Sequence, residues 1–143
     1  MKTVQEVMTA QPATVTLLDN IYEVAVLMRD HDTGFIPVVD ADDGVTLIGV
    51  ITDRDLVIRG YADKHSGSTA VEKVMSREVV SVSESASVDE AAELMASGQI
   101  RRLPVTRGKK LIGIVSLGDL AVKNIFADEA GEALSEISQR QLH

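Results

Sequence analysis

Two short apolar runs of one design stand out along the chain. Leu47-Ile-Gly-Val-Ile51 leads into Thr52-Asp-Arg-Asp55-Leu56, and Leu111-Ile-Gly-Ile-Val115 leads into Ser116-Leu-Gly-Asp119-Leu120. Four to six apolar residues rich in β-branched members read as a buried strand. The Thr/Ser-x-x-Asp that follows has the spacing of a helix N-cap with an acidic residue three positions on. Two such junctions in 143 residues mark an internal duplication.

The duplication extends well beyond the junctions. Val4-Gln-Glu-Val-Met8-Thr aligns with Val71-Glu-Lys-Val-Met75-Ser, and the offset holds through Thr14-Val15/Ser81-Val82, Ile21/Val88, Glu23/Glu90, Leu27-Met28/Leu94-Met95 and Pro37/Pro104. It shortens before Gly49/Gly113, where Asp40-Ala-Asp-Asp43-Gly44 faces Thr106-Arg-Gly108-Lys. Both segments read as hairpin turns, where length changes are cheap.

The first copy predicts an N-terminal helical turn, a strand at 13–15, a helix over 21–30, strands at 35–39 and 45–51, and a helix over 53–59 that Gly60 stops. Asn20 and Ser87 are the expected N-caps, with Glu23 and Glu90 closing capping boxes. Ile21, Val24, Ala25 and Met28 share one helical face, as do Val88, Ala91, Ala92 and Met95. The second copy repeats the order β-α-β-β-α. Residues 61–70 read as a polar linker, and 127–143 as a tail that is either a short docking helix or a frayed end. The expected division is therefore 1–60, 61–70, 71–126 and 127–143. Each copy is marginal alone and has a sheet face to hide, so pairing the sheets about a pseudo-twofold axis into one compact α/β module is expected, with equivalent clefts at the seam.

Composition narrows the function. A formal net charge of −8 argues against sequence-independent binding to nucleic acid or anionic membranes. With no cysteine, there is no disulfide framework, thiolate metal site or Cys nucleophile. No apolar run approaches the roughly 20 residues that span a bilayer. The N-terminus lacks a signal peptide's apolar core, so the expected location is the cytoplasm.

Val-x-x-Val-Met-Thr, Gly34-Phe-Ile-Pro37-Val-Val-Asp and Leu47-x-Gly49-x-x-Thr52-x-x-Asp55-Leu, with their second-copy partners, resemble a tandem pair of CBS domains over residues 2–126. The chain is similar to small stand-alone two-domain members of actinobacterial and archaeal type. The resemblance implies a regulatory module for adenosine-containing ligands: AMP, ADP or ATP, with S-adenosylmethionine or NAD as alternatives. It implies no resident cofactor and no metal. It also implies a homodimer that signals to an unidentified effector protein. Carried over by position, the first site is Thr14, Val15, Phe35, Ile36, Pro37, Thr52, Arg54 and Asp55. The second is Ser81, Val82, Arg102, Leu103, Pro104, Ser116 and Asp119.

Each of these residues has a purely structural reading beside the functional one. Thr52 and Asp55 form a helix cap, or the carboxylate takes the ribose hydroxyls while helix N–H groups hold phosphate. Pro37 and Pro104 force Ile36 and Leu103 into extended geometry, which either starts a strand or offers backbone groups to an adenine edge. The copies also differ. Asp53 and Arg54 become Leu117 and Gly118; Gly34 and Phe35 become Arg101 and Arg102; Pro12 becomes Val79.

Catalysis has little support, and the chain reads as a non-enzyme. His31, His65 and His143 are scattered, and no nucleophile elbow, phosphate loop or dinucleotide fingerprint is present. The Asp40–Gly44 stretch lacks the spacing of a calcium loop and reads as a turn. The runner-up is a CBS protein that serves interaction and binds no nucleotide.

Overall fold

The computed structural model describes residues 2–125. The tail at 127–143 and His143 lie outside them. The elements in order are α1 (Val4–Val7), β1 (Thr9–Ala10), β2 (Val15–Thr16), α2 (Ile21–His31), β3 (Phe35–Val39), β4 (Leu47–Thr52), α3 (Asp53–Asp55), a π-helical turn (Leu56–Tyr61), a 3₁₀ turn (Val71–Lys73), β5 (Val82–Ser83), α4 (Val88–Gly98), β6 (Arg102–Arg107), β7 (Lys110–Ser116) and α5 (Leu117–Ile125). They make a mixed α/β protein with two sheets, ordered β2-β3-β4 and β1-β7-β6-β5.

The caps that start the helices are local and come from the residues expected. Asn20 Oδ1 accepts from Glu23 N at 2.9 Å, and Ser87 Oγ from Glu90 N at 3.1 Å. The Glu23 and Glu90 side chains are exposed and make no return bond among the described residues; the reciprocal box forms at α3 and α5 instead. Both long helices end on a left-handed residue, Asp32 (φ 50°) and Gln99 (φ 52°), which lets Thr33 N and Ile100 N reach back to the carbonyls of Met28 and Met95. On α2 the buried stripe is Ile21, Val24 and Met28; Ala25 faces solvent and Leu27 packs against the core in its place.

Several boundaries move for identifiable reasons. Strand β2 covers Val15–Thr16 rather than 13–15, because it forms only where it runs parallel to Val38 and Val39. Strand β4 begins at Leu47 rather than 45, because Asp43 Oδ1 takes the N–H groups of Val45 and Thr46 into the turn. These bonds and the Thr46 hydroxyl hold the Asp43 carboxyl down at about 2. The helix expected over 53–59 is α-helical only to Asp55 and then widens into the π-helical turn, running through Gly60 instead of stopping there. Gly60 is buried, and a Cβ on it would lie 3.4 Å from Ile21 Cδ1, in ordinary contact. Residues 61–70 also serve α2: Thr69 and Gly67 carbonyls accept from Ile21 N (3.0 Å) and Tyr22 N (3.1 Å), satisfying two of its orphan donors.

The compact units do not coincide with the repeats. One unit comprises Gln11–Val79 with Lys109–Leu111; the other comprises the described parts of Met1–Ala10, Val80–Gly108 and Ile112–His143. Val71, Val74 and Met75, which open the second repeat, are buried in the first unit's core with Val15, Val24, Ile36, Val38 and Ile51. Val4 and Val7, which open the first repeat, are buried with Val82, Val88, Met95, Leu103, Val105 and Val115. Each repeat's leading segment therefore completes the unit built from the other repeat.

The glycine in each Leu-x-Gly strand is where that segment crosses. A Cβ on Gly49 would sit 2.8 Å from the Ser76 carbonyl oxygen, and one on Gly113 would sit 2.8 Å from that of Thr9. Val50 exchanges backbone bonds with Ser76 at 3.0 and 2.8 Å, and Thr9 is the antiparallel partner of Ile114.

Gly49→Ala and Gly113→Ala should each destabilise by about 1–3 kcal/mol through overpacking, read as a lower urea midpoint. Val4→Ala, which removes two buried methyl groups, should cost about 2 kcal/mol. Its loss of hydrogen-exchange protection should fall mainly on α4 and β6 rather than on α2 and β3.

Candidate functional site

Within the unit of Gln11–Val79, antiparallel pairing sets Phe35 opposite Thr52 and Ile36 opposite Ile51. Phe35 and Thr52, both half-buried, make an accessible lip at the junction of β4 and α3. Ile36 is 1% exposed and Pro37 is buried, so their side chains belong to the core. The Phe35 backbone is engaged by the Thr33 hydroxyl, which accepts from its N–H at 3.2 Å and donates to its carbonyl at 3.3 Å. Arg54 is exposed and makes no ion pair among the described residues.

At the start of α3 a complete capping box closes. Asp55 N donates to Thr52 Oγ1 at 3.1 Å, and Thr52 N donates to Asp55 Oδ2 at 3.0 Å. The Ser76 hydroxyl lies 3.4 Å from both Asp55 carboxylate oxygens, a loose contact that leaves Oδ1 with spare acceptor capacity. The structural and ligand-binding readings of Asp55 are thus compatible: the cap uses one oxygen, and the other remains for a hydroxyl. Arg59 Nη1 donates to the Met75 carbonyl at 3.1 Å, tying the π-helical turn to the same crossing segment.

Thr14 and Val15 stand at the start of β2, which pairs with β3 at Val38 and Val39. They line an open depression of about 430 Å³ with Asp19, Tyr22, Glu23, Val26 and Leu27. Phe35, Thr52, Arg54 and Asp55 do not line this depression.

The other unit repeats the cap. Asp119 N donates to Ser116 Oγ at 3.0 Å, and Ser116 N to Asp119 Oδ2 at 3.1 Å. Leu103, Pro104 and Val82 are buried, whereas Ser81 and Arg102 are exposed. Arg102 makes no ion pair among the described residues, while Arg107, at the other end of β6, is committed to Glu84 through two 2.8 Å bonds. That bidentate pair raises the arginine's pKa and lowers the glutamate's through hydrogen bonding and charge.

Three residues at these sites escape sequence reasoning. Asp53 folds its carboxylate back over Gly34, Thr33 bonds the Phe35 backbone, and Ser76 arrives from the second repeat. Ser76 carried a signal as the last residue of the repeated Val-x-x-Val-Met-Thr/Ser phrase, and Asp53 as a position where the two copies differ. Among the described residues no three His, Asp or Glu side chains gather as metal ligands, and no helix is long and apolar enough to cross a membrane. His31 and His65 are exposed and apart.

A family model for the CBS domain matches residues 4–60 and 71–123. The CBS domain-containing protein YhcV of Bacillus subtilis is 46% identical over 143 residues, covering 100% of both chains. Among solved structures, CBSX2 in complex with AMP superposes with a TM-score of 0.78 at 25% identity, covering 89% of this chain and 98% of that one. The CBS domain pair of protein MJ0100, in complex with 5′-methylthioadenosine and S-adenosyl-L-methionine, superposes with a TM-score of 0.74 at 25% identity, covering 89% and 97%.

Asp55→Ala and Asp119→Ala should each lower stability by about 1 kcal/mol through loss of the cap. Asp55→Asn, whose amide oxygen can still accept from Thr52 N, should unfold at nearly the native urea concentration.

Proposed function

The chain belongs to the CBS-domain family, and from that premise we propose that it is a regulatory module binding an adenosine-containing ligand such as AMP, ADP or ATP. The observation that carries this reading is the twofold capping box, which holds a carboxylate at the head of α3 and of α5 with an oxygen to spare. Vicinal ribose hydroxyls are donors suited to that oxygen. Support comes from the family members whose solved structures hold AMP, 5′-methylthioadenosine and S-adenosyl-L-methionine.

On this reading the protein is not an enzyme, acts in the cytoplasm, and binds neither nucleic acid nor membrane. The ligand shifts a conformational equilibrium by its differential affinity for two states, and an effector protein reads the result. A homodimer is part of the proposal. It is supported by large apolar residues left in solvent on α2, just before it and on the π-helical turn: Leu18, Tyr22, Val57, Ile58 and Tyr61. The alternative, an interaction protein that binds no nucleotide, draws on the second repeat's lack of counterparts to Arg54 and Pro12, where Gly118 and Val79 stand.

Calorimetric titration with AMP, ATP, NAD and S-adenosylmethionine should give micromolar binding of at least one ligand. Asp55→Asn or Asp119→Asn should weaken it at least about tenfold, a loss of one charge-assisted bond, with folding retained. No heat from any ligand on a folded, ligand-free sample would favour the interaction protein instead. A light-scattering mass near 15.4 kDa would refute the dimer.

A further inference from the structure

We infer that Asp53 sets the specificity of the first-repeat cleft, excluding phosphorylated ligands and leaving it to an adenosyl group whose 5′ substituent is uncharged or cationic. This rests on the adenosyl-binding reading above. The first turn of α3 has no amide to offer an anion: Asp53 N donates to the Gly34 carbonyl at 2.9 Å, Arg54 N to Asp53 Oδ1 at 2.8 Å, and Asp55 N to Thr52 Oγ1 at 3.1 Å. The protein's own carboxylate already occupies the position from which a phosphate would draw hydrogen bonds. It does so over Gly34, where a Cβ would lie 2.5 Å from Asp53 Oδ2, so glycine at 34 is what admits it.

Electrostatics act in the same direction. Around this lip stand Asp53 and Asp55 against Arg54, with Arg59 held on the Met75 carbonyl; at the second-repeat junction stand Arg101 and Arg102 against Asp119. A phosphate monoester carries about two negative charges at neutral pH and is repelled by the first arrangement. The second repeat lacks the device altogether. Leu117 replaces Asp53, Arg101 replaces Gly34, and Gly118 N has no acceptor among the described residues, while Leu117 N and Asp119 N are bonded as in the first repeat. The two sites are therefore built for different 5′ groups, and a single ligand does not fill both equally.

The test is titration of the full-length chain with adenosine and with AMP, followed by calorimetry and by the amide resonances of Gly34 and Arg102. Adenosine should perturb both; AMP should perturb Arg102 and bind far more weakly at Gly34. Asp53→Asn keeps an oxygen for Arg54 N but removes the charge. It should raise the AMP-to-adenosine affinity ratio at Gly34 by about tenfold or more. Leu117→Asp should lower the same ratio at Arg102. If AMP and adenosine bind equally at Gly34 in the native chain, or if neither substitution moves its ratio, the role of Asp53 is refuted while adenosyl binding stands. If neither ligand binds at either site, the adenosyl reading falls and this inference with it.

Discussion

The close approach of backbone to backbone at Gly49 and Gly113 is the constraint on which the rest depends. At both places a crossing segment brings a carbonyl oxygen within 2.8 Å of where a side chain would start, so only glycine permits the strand pairing. The pairing draws each repeat's leading segment into the unit built from the other repeat. There it contributes fully buried valines: Val4 and Val7 in one core, Val71 and Val74 in the other. Without them each unit would be left with an incomplete apolar core, a serious loss for domains this small. The glycine is as much a part of the core as the valines it admits.

The same crossing bears on the site. Ser76 follows Met75, whose methyl group lies against Gly49, and the crossing carries the serine hydroxyl to Asp55. Arg59 fastens the π-helical turn to the Met75 carbonyl. The strand–helix junction is thus braced from one side by the second repeat's leading segment and from within by the capping box. A carboxylate held this way loses little side-chain entropy when it accepts a further bond, which favours ligand recognition by the residue that also caps the helix.

Duplication also allows divergence. The capping boxes at Thr52/Asp55 and Ser116/Asp119 are superimposable in their bonds, with lengths from 3.0 to 3.1 Å. The residues between cap and aspartate differ: Asp53 and Arg54 carry opposite charges, whereas Leu117 and Gly118 carry none. One copy carries a carboxylate folded over a glycine, the other an apolar residue and a glycine beside two exposed arginines. Hydrogen bonds that hold the fold are kept in both copies, while the positions free of that duty differ.

Much of this was legible in the chain itself. The repeat, the four helix caps and the strand–helix junctions depend on neighbours three or four positions apart or on alternation, so they are written locally. The family resemblance rested on those same phrases. What local pattern could not determine was which segment completes which core, because Val71 and Val38 meet only across long stretches of chain. Nor could it show the widening of the helix after Asp55, which runs through Gly60 where the pattern predicts a stop. The placing of Asp53 over Gly34 likewise requires β3 and β4 already paired. Sequence determined the elements, their caps and their duplication through short-range geometry; tertiary structure decided the exchange of segments and the charge at each site, because both arise from contacts between distant residues.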